Sequence, residues 1–294
     1  VRRIANGGKT PTDVGDASFD VVIVGGGAAG ISLAASLKSR QPAISMAIID
    51  PADVHYYQPG WTMVGAGIFE PEDTVRTMGA LIPRDVHWIK SAVAAFEPKD
   101  DAVILDGCRV VKYKRLVVCP GLKLDWRKVE GLTETLGKNG VTSNYRYDLA
   151  PYTWELVSKL RSGRALFTQP PMPIKCAGAP QKAMYLSGDH WRRTGVLGNI
   201  DIQFHNAGGV LFGVKDYVPA LMEYVKRYDA SLNFFNNLVA VDGPARKAWF
   251  DVAKPDTPVE RIEVQFDMMH VCPPQTAPDF ICVSPLADAA GWID

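Results

Sequence analysis

Two stretches of this chain carry residue types that do chemistry. The first is the run Pro-Pro-Met-Pro-Ile-Lys-Cys-Ala-Gly-Ala-Pro-Gln-Lys at 170–182, with Cys176 near its centre. An apolar strand pattern at 165–169 and a helical pattern at 178–193 put the cysteine in a strand-to-helix loop. In a nicotinamide enzyme that loop is a glycine cradle for phosphate, so here a thiol replaces the cradle. A cysteine at a helix N-terminus feels the positive end of the dipole, and Lys175 adds a cation; both favour the nucleophilic thiolate. A lone cysteine also packs well as a small inert apolar side chain, and the loop alone leaves both readings open.

The second stretch is Gly-Gly-Gly-Ala-Ala-Gly at 25–30. A strand pattern at 19–24 runs into it, a helical pattern at 31–39 follows, and a second strand at 45–49 ends in Asp50. Gly25 suits the tight turn, Gly27 the close approach of backbone to a pyrophosphate, and Gly30 the packing of helix on strand. Asp50 suits the ribose hydroxyls. The glycines alone are weak evidence; their order with strand, helix and acid is strong.

Other polar residues are weaker candidates. His55 stands near Gln58 and reads as a donor toward a ligand or as a structural partner. Asp189 and His190 are adjacent on a helix and so point to different faces. His205 and His270 end strands, where satisfied structural roles are the commoner fate. Cys108, Cys119, Cys272 and Cys282 show no CxxC pair, no zinc spacing and no disulfide framework, so no metal site is expected.

The elements that must hold these residues alternate between strand and helix. Short strands at 86–90, 92–96 and 102–105 suggest a small antiparallel insert, and a return strand at 116–119 ends in Pro120 and Gly121, where backbone meets a ligand at the strand's carboxyl edge. A new unit then reads as helix 152–161, strand 165–169, helix 178–193, strand 200–205 and helix 214–228. Strands at 232–235 and 237–241 follow, then a strand at 264–271 returning to the first domain. Tyr217, Leu221, Tyr224 and Tyr228 form a helical stripe that reads as core. The expected fold is α/β with two Rossmann-like dinucleotide-binding domains. The boundaries are a disordered leader at 1–18, the first domain at 19–138, the second, thiol-bearing one at 139–268, and a return at 269–294.

At 294 residues there is room for both domains. Basic and acidic side chains balance at 32 each, which gives no electrostatic footprint for nucleic acid. The uncharged stretch 21–37 is broken by glycines and is too short to span a bilayer.

Taken together, these segments resemble the flavin-dependent two-dinucleotide-fold family, in particular its sulfide:quinone oxidoreductase branch of the mitochondrial and related bacterial type. The resemblance rests on GGGAAG at 25–30, HYYQPGWTMVGAG at 55–67, IPRDVHWIK at 82–90, KCAGAPQKAMYLS at 175–187, GGVLFGVKDY at 208–217, and MMHVCPPQTAPDF through SPLADAAGWID at 268–294. It implies FAD in the first domain, with Gly25, Gly27, Ala28, Ala29 and Gly30 toward the pyrophosphate. Asp50 would face the ribose, Gln58 the flavin region, Val93 the adenine side through its backbone, and Gly121 a close backbone approach.

The resemblance also implies that Cys176 is one of two redox cysteines. Sulfide opens their disulfide and leaves a persulfide, FAD carries the electrons to quinone, and the sulfane sulfur departs on a thiol, sulfite or cyanide. The family's second flavin motif, its partner cysteine and a membrane-docking segment follow the SPLADAAGW region. They are therefore expected beyond Asp294, with peripheral attachment of the full-length parent to a mitochondrial inner or bacterial cytoplasmic membrane, and with the 294-residue piece itself inactive. The alternatives are a sulfide dehydrogenase passing electrons to a cytochrome, a type II NADH:quinone oxidoreductase, disfavoured by the missing second glycine motif, or a non-catalytic binding protein.

Overall fold

The structure, a computed structural model, describes residues 9–13 and 16–293. The remainder of the stretch read as a leader lies outside the described residues. In its described part, Lys9 N–H donates to Gly79 O at 2.9 Å and Thr12 N–H to Trp88 O at 2.7 Å, so 9–13 is tied to the first unit, and Ala17 and Ser18 already open a strand rather than ending a disordered arm.

The chain divides into two compact units. The first comprises the described residues up to 57, 75–123 and 276 onward; the second comprises 58–74 and 124–275. The boundaries read from the sequence at 139 and 268 thus fall inside the second unit, and Gln58 belongs to the second unit as well.

The six-stranded sheet of the first unit holds β1 (Ala17–Val24), β2 (Met46–Ile49), β3 (His87–Ile89), β4 (Val93–Glu97), β5 (Ala102–Leu105) and β6 (Val110–Val118), ordered β3-β2-β1-β6-β5-β4. The β3, β2, β1 and β6 segment is parallel, whereas β5 and β4 join as antiparallel neighbours. Val22, Ile23, Ala47 and Ile48 are wholly buried, as befits strands covered on both faces. Helix α1 (Ala28–Arg40) covers one face, its Ala34 fully buried against Val21, Ile23 and Ile48. The tail of the chain returns here, with Phe280 stacked on Phe96 at 6.0 Å and Ile281 in the same core.

The second unit is built on a five-stranded parallel sheet. Its strands are β7 (Val141–Thr142), β8 (Gly163–Gln169), β9 (Ile200–Asn206), β10 (Ser231–Phe234) and a late strand at Met268–His270, which lies between β7 and β8. A separate three-stranded antiparallel sheet holds β11 (Asn236–Asp242), β12 (Lys247–Val252) and β13 (Glu260–Gln265), so the late strand is β14 (Met268–His270) in chain order. The sequence pattern at 264–271 read as one strand returning to the first domain. It is instead the end of β13 and all of β14, and it stays in the second unit. The break has a physical cause: Asp267 leaves β13, and its Oδ2 accepts the Arg164 N–H at 2.8 Å beside Gly163, where a β-carbon would lie only 2.1 Å from that oxygen.

Helices α2 (Ala150–Lys159), α3 (Ala179–Arg193) and α4 (Val218–Arg227) pack on this second sheet. Helix α3 buries Pro180, Ala183, Met184, Ser187 and Trp191, an i, i+3, i+4 stripe. Trp191 is fully buried, and its indole N–H donates to Val157 O at 2.9 Å, which joins α3 to α2. Each such large side chain contributes roughly 2 to 3 kcal/mol by leaving water. The tyrosine stripe is only partly core. Tyr228 is buried and Leu221 packs on the cluster, but Tyr217 sits in a 3-10 turn before α4 and is exposed, as is Tyr224.

Candidate functional site

Each unit carries its own candidate site. In the first, β1 delivers the glycine run directly to the start of α1. Gly25 has φ +106°, and its N–H donates to Ile49 O. A β-carbon on Gly25 would meet Cys119 O at 2.3 Å, and one on Gly30 would meet Gly25 O at 2.0 Å; one on Gly27 would meet nothing within 4 Å. Gly27, Ala28 and Ala29 are exposed, no side chain caps α1, and its first turn contains no acid. An uncapped helix N-terminus with open backbone and no acid in its first turn fits an anion such as a pyrophosphate.

Asp50 is placed at the end of β2 beside this cradle. Its Oδ2 accepts the Gly26 N–H at 2.6 Å and its Oδ1 the Ala52 N–H at 2.8 Å, while its own carbonyl accepts the Trp88 indole N–H at 3.0 Å. The carboxylate is thereby fixed in orientation, with lone pairs left for a hydroxyl donor. His55 Nδ1 lies 3.4 Å from Gly26 O, so that ring meets the same loop. Cys119 follows β6 with its Sγ 3.7 Å from Gly25 O; burial, and then the Asp50 charge, push its thiol pKa up. Val93 opens β4 opposite Leu105 and is half-buried, and Gly121 is exposed with φ +84° and open space around it.

In the second unit the carboxyl ends of β7, β14 and β8, neighbours in the sheet, deliver three loops. Loop 143–145 follows β7, loop 271–275 follows β14, and loop 170–178 follows β8. Cys176 lies on the last of these, exposed, with φ +60°. Its carbonyl accepts the Ala179 N–H at 2.9 Å, and α3 starts from Gly178 as N-cap. Cys176 thus stands two residues ahead of the cap rather than in the first turn, where the dipole is felt most. The Lys175 ammonium donates to Gln58 Oε1 in this same unit. Burial lowers the Lys175 pKa, and Cys176 pulls it back up.

Tyr145, Cys272 and Gln275 join Cys176 at this edge, and none of them was singled out from sequence as part of a site. The Tyr145 hydroxyl donates to Lys175 O at 3.4 Å. Gln275 is buried: its Oε1 accepts the Lys175 N–H at 2.5 Å, and its Nε2 lies 4.0 Å from Cys272 Sγ. Cys272 is 2% exposed, and burial pushes its thiol up to about 12. Burial also raises the Tyr145 pKa. Residues immediately after adjacent parallel strands converge on ligands in doubly wound folds, which is the signal that would have found them.

Of the remaining candidates His205 is bonded at both ring nitrogens, whereas His270 Nδ1 and His190 Nε2 are buried without a hydrogen-bond partner among the described residues. His205 Nδ1 faces Asn236 Oδ1 at 3.2 Å, Nε2 faces Gln203 Oε1 at 3.1 Å, and the ring stacks on Phe250 at 4.1 Å. His270 Nε2 accepts the Asn144 N–H at 2.9 Å. Asp189 pairs with Arg192 and Arg193, while His190 meets Trp154 edge-on.

A mixed sheet carrying a dinucleotide cradle and a parallel sheet, each with crossover helices, define the class: a fold of the two-dinucleotide-domain type. The chain is 40% identical over 276 residues to the mouse protein "Sulfide:quinone oxidoreductase, mitochondrial", which covers 94% of this chain and 61% of the mouse protein. It is 40% identical over 277 residues to the Dictyostelium discoideum protein of the same name, covering 93% and 60%. The structure of the sulfide:quinone oxidoreductase from Aquifex aeolicus matches with a TM-score of 0.76 at 18% identity, over 94% of this chain and 63% of that one. A family model described as lycopene cyclase protein matches residues 20–77. Over the part of its length that aligns, the chain is similar to these sulfide:quinone oxidoreductases, and it spans about three fifths of the mouse and Dictyostelium relatives.

Proposed function

We propose that the parent protein oxidises hydrogen sulfide at Cys176 and passes the two electrons through FAD to a quinone. The observation that carries this reading is the exposed Cys176 sulfur at the carboxyl edge of the second parallel sheet, where nicotinamide enzymes hold phosphate, in a chain 40% identical to named sulfide:quinone oxidoreductases. When bound, FAD supplies a two-electron acceptor that is reoxidised by quinone. The backbone of Gly25, Gly27, Ala28, Ala29 and Gly30 would hold its pyrophosphate and Asp50 its ribose, with Val93 and Gly121 contributing backbone.

The chemistry at Cys176 is thiol–disulfide exchange. Hydrosulfide attacks the disulfide that Cys176 shares with a second cysteine, so one S–S bond breaks, a persulfide S–S bond forms and one thiolate is released. Re-forming the disulfide releases two electrons, and the sulfane sulfur leaves on a nucleophile such as a thiol, sulfite or cyanide. Lys175 places a cation next to the reacting sulfur, and Gln58 orients that cation. Cys272, buried and held protonated, is poorly suited to be the exchanging partner. Peripheral attachment to a mitochondrial inner or bacterial membrane would bring the quinone within reach; among the described residues no helix is long and apolar enough to cross a membrane.

The test is Cys176→Ser in the full-length parent. A hydroxyl forms neither disulfide nor persulfide, so sulfide-dependent quinone reduction should be abolished, whereas Cys108→Ser, on an exposed turn of the first unit, should be silent. Unchanged sulfide turnover in the Cys176 variant would overturn the reading.

A further inference from the structure

Both main-chain polar groups of Lys175, the residue just before Cys176, are held by side chains from other loops. Its N–H donates to Gln275 Oε1 at 2.5 Å, and its carbonyl accepts the Tyr145 hydroxyl at 3.4 Å. These partners lie 100 and 30 residues away in sequence, so the grip is tertiary rather than an accident of the turn. The peptide unit between Lys175 and Cys176 includes that carbonyl, and Cys176 itself is held at φ +60°, a left-handed conformation that a residue with a β-carbon adopts only when its surroundings enforce it. One of the gripping side chains also rests on a buried thiol. Gln275 Nε2 approaches Cys272 Sγ at 4.0 Å. The buried Cys272 is therefore the floor under the Gln275 arm of the clamp.

We infer that Tyr145 and Gln275 are positioning residues that hold the peptide groups on either side of Lys175 and so aim the Cys176 sulfur, with Cys272 as the support beneath Gln275. This rests on Cys176 being the reacting sulfur. A sulfur that must exchange between bonds gains from a fixed direction of approach, and a loop containing three prolines at 170–173 with no regular hydrogen bonding of its own needs outside partners to hold one. Gln275 suits the task because one amide presents an acceptor to the Lys175 N–H and a donor to the Cys272 sulfur.

The experiment uses the present chain and needs neither sulfide nor flavin. Amide hydrogen exchange over 174–177 and the pH profile of Cys176 alkylation by iodoacetamide are measured for the wild type, Gln275→Leu, Tyr145→Phe and Gln275→Glu. Gln275→Leu should speed exchange at Lys175 by about tenfold, the worth of one hydrogen bond, and displace the alkylation profile. Tyr145→Phe should displace the profile in the same direction, and Gln275→Glu, which keeps an acceptor, should restore slow exchange. Should Gln275→Leu not fold, Tyr145→Phe, which removes a single oxygen, decides the matter by its alkylation profile. Wild-type exchange and an unmoved profile in the folded variants would overturn the clamp. Full sulfide turnover by Cys176→Ser in the longer parent would instead overturn the role of Cys176 and leave the clamp standing.

Discussion

The carbonyl oxygen of Cys119 lies 2.3 Å from the place a β-carbon on Gly25 would occupy. This one contact ties the end of β6 to the turn after β1 and explains the need for glycine there, because the φ of +106° adds backbone strain to the clash.

Gly25→Ala should therefore destabilise the chain by about 3 kcal/mol, visible as a lowered denaturant midpoint. Gly27 differs in kind, since its β-carbon would enter open space at an ordinary φ of −73°. Gly27→Ala should cost less than about 1 kcal/mol, while Gly27→Trp should fold and lose flavin binding. Equal stability losses for Gly25→Ala and Gly27→Ala would contradict this division between a turn residue and a cradle residue.

The contrast also shows what sequence could reveal. The run from β1 through α1 to Asp50 was legible because apolar period, glycine positions and acid all agree within about thirty-five residues. Cys176 was legible from the strand and helix that flank it. Tyr145 and Gln275 were not, because they follow strands of two and three residues, too short to show a period, and meet Lys175 only through the parallel pairing of β7, β14 and β8. The tyrosine stripe misled in part because tyrosine carries a polar end: Tyr217 and Tyr224 repeat at helical spacing yet keep much of their rings in water.

Asp50→Ala should weaken flavin binding while leaving a folded chain. The carboxylate that orders the turn through Gly26 and Ala52 would be gone, together with the acceptor proposed for the ribose. Two charge-assisted hydrogen bonds at a half-buried site contribute on the order of 1 to 2 kcal/mol each to stability. Flavin fluorescence quenching by the purified variant, set beside its melting curve, checks this; wild-type flavin affinity would remove Asp50 from the site.

His205 and His270 make stability depend on pH. Burial is the leading cause of both shifts, and it lowers each imidazole from the ordinary 6.5 to about 4. An unfolded chain therefore binds more protons than the folded one below about pH 6.5. The stability is complete above that value and is lost as pH falls through about 4, by at most about 3 kcal/mol for each ring. Proton NMR of the imidazole C2–H resonances should show both rings neutral down to about pH 4, and titration of either near 6.5 in the folded chain would refute the assignment.

The cysteines should separate by reactivity. Cys176 is exposed on its loop, whereas Cys272 is 2% exposed and its thiol is pushed up to about 12 by burial. At neutral pH only the thiolate attacks an alkylating reagent, so Cys272 lacks both the nucleophile and the access. Brief treatment with iodoacetamide followed by peptide mass mapping should label Cys176 together with the exposed Cys108 and Cys282, leave Cys119 slower because its own thiol is raised, and leave Cys272 untouched. Adding denaturant should expose Cys272 only as the second unit unfolds, since its backbone N–H is bonded to Thr168 Oγ1 at 3.3 Å beside β8. Labelling of Cys272 at the rate of Cys176 in the folded chain would show that the floor beneath Gln275 opens to solvent, and a clamp arm resting on it could not hold the sulfur in one direction.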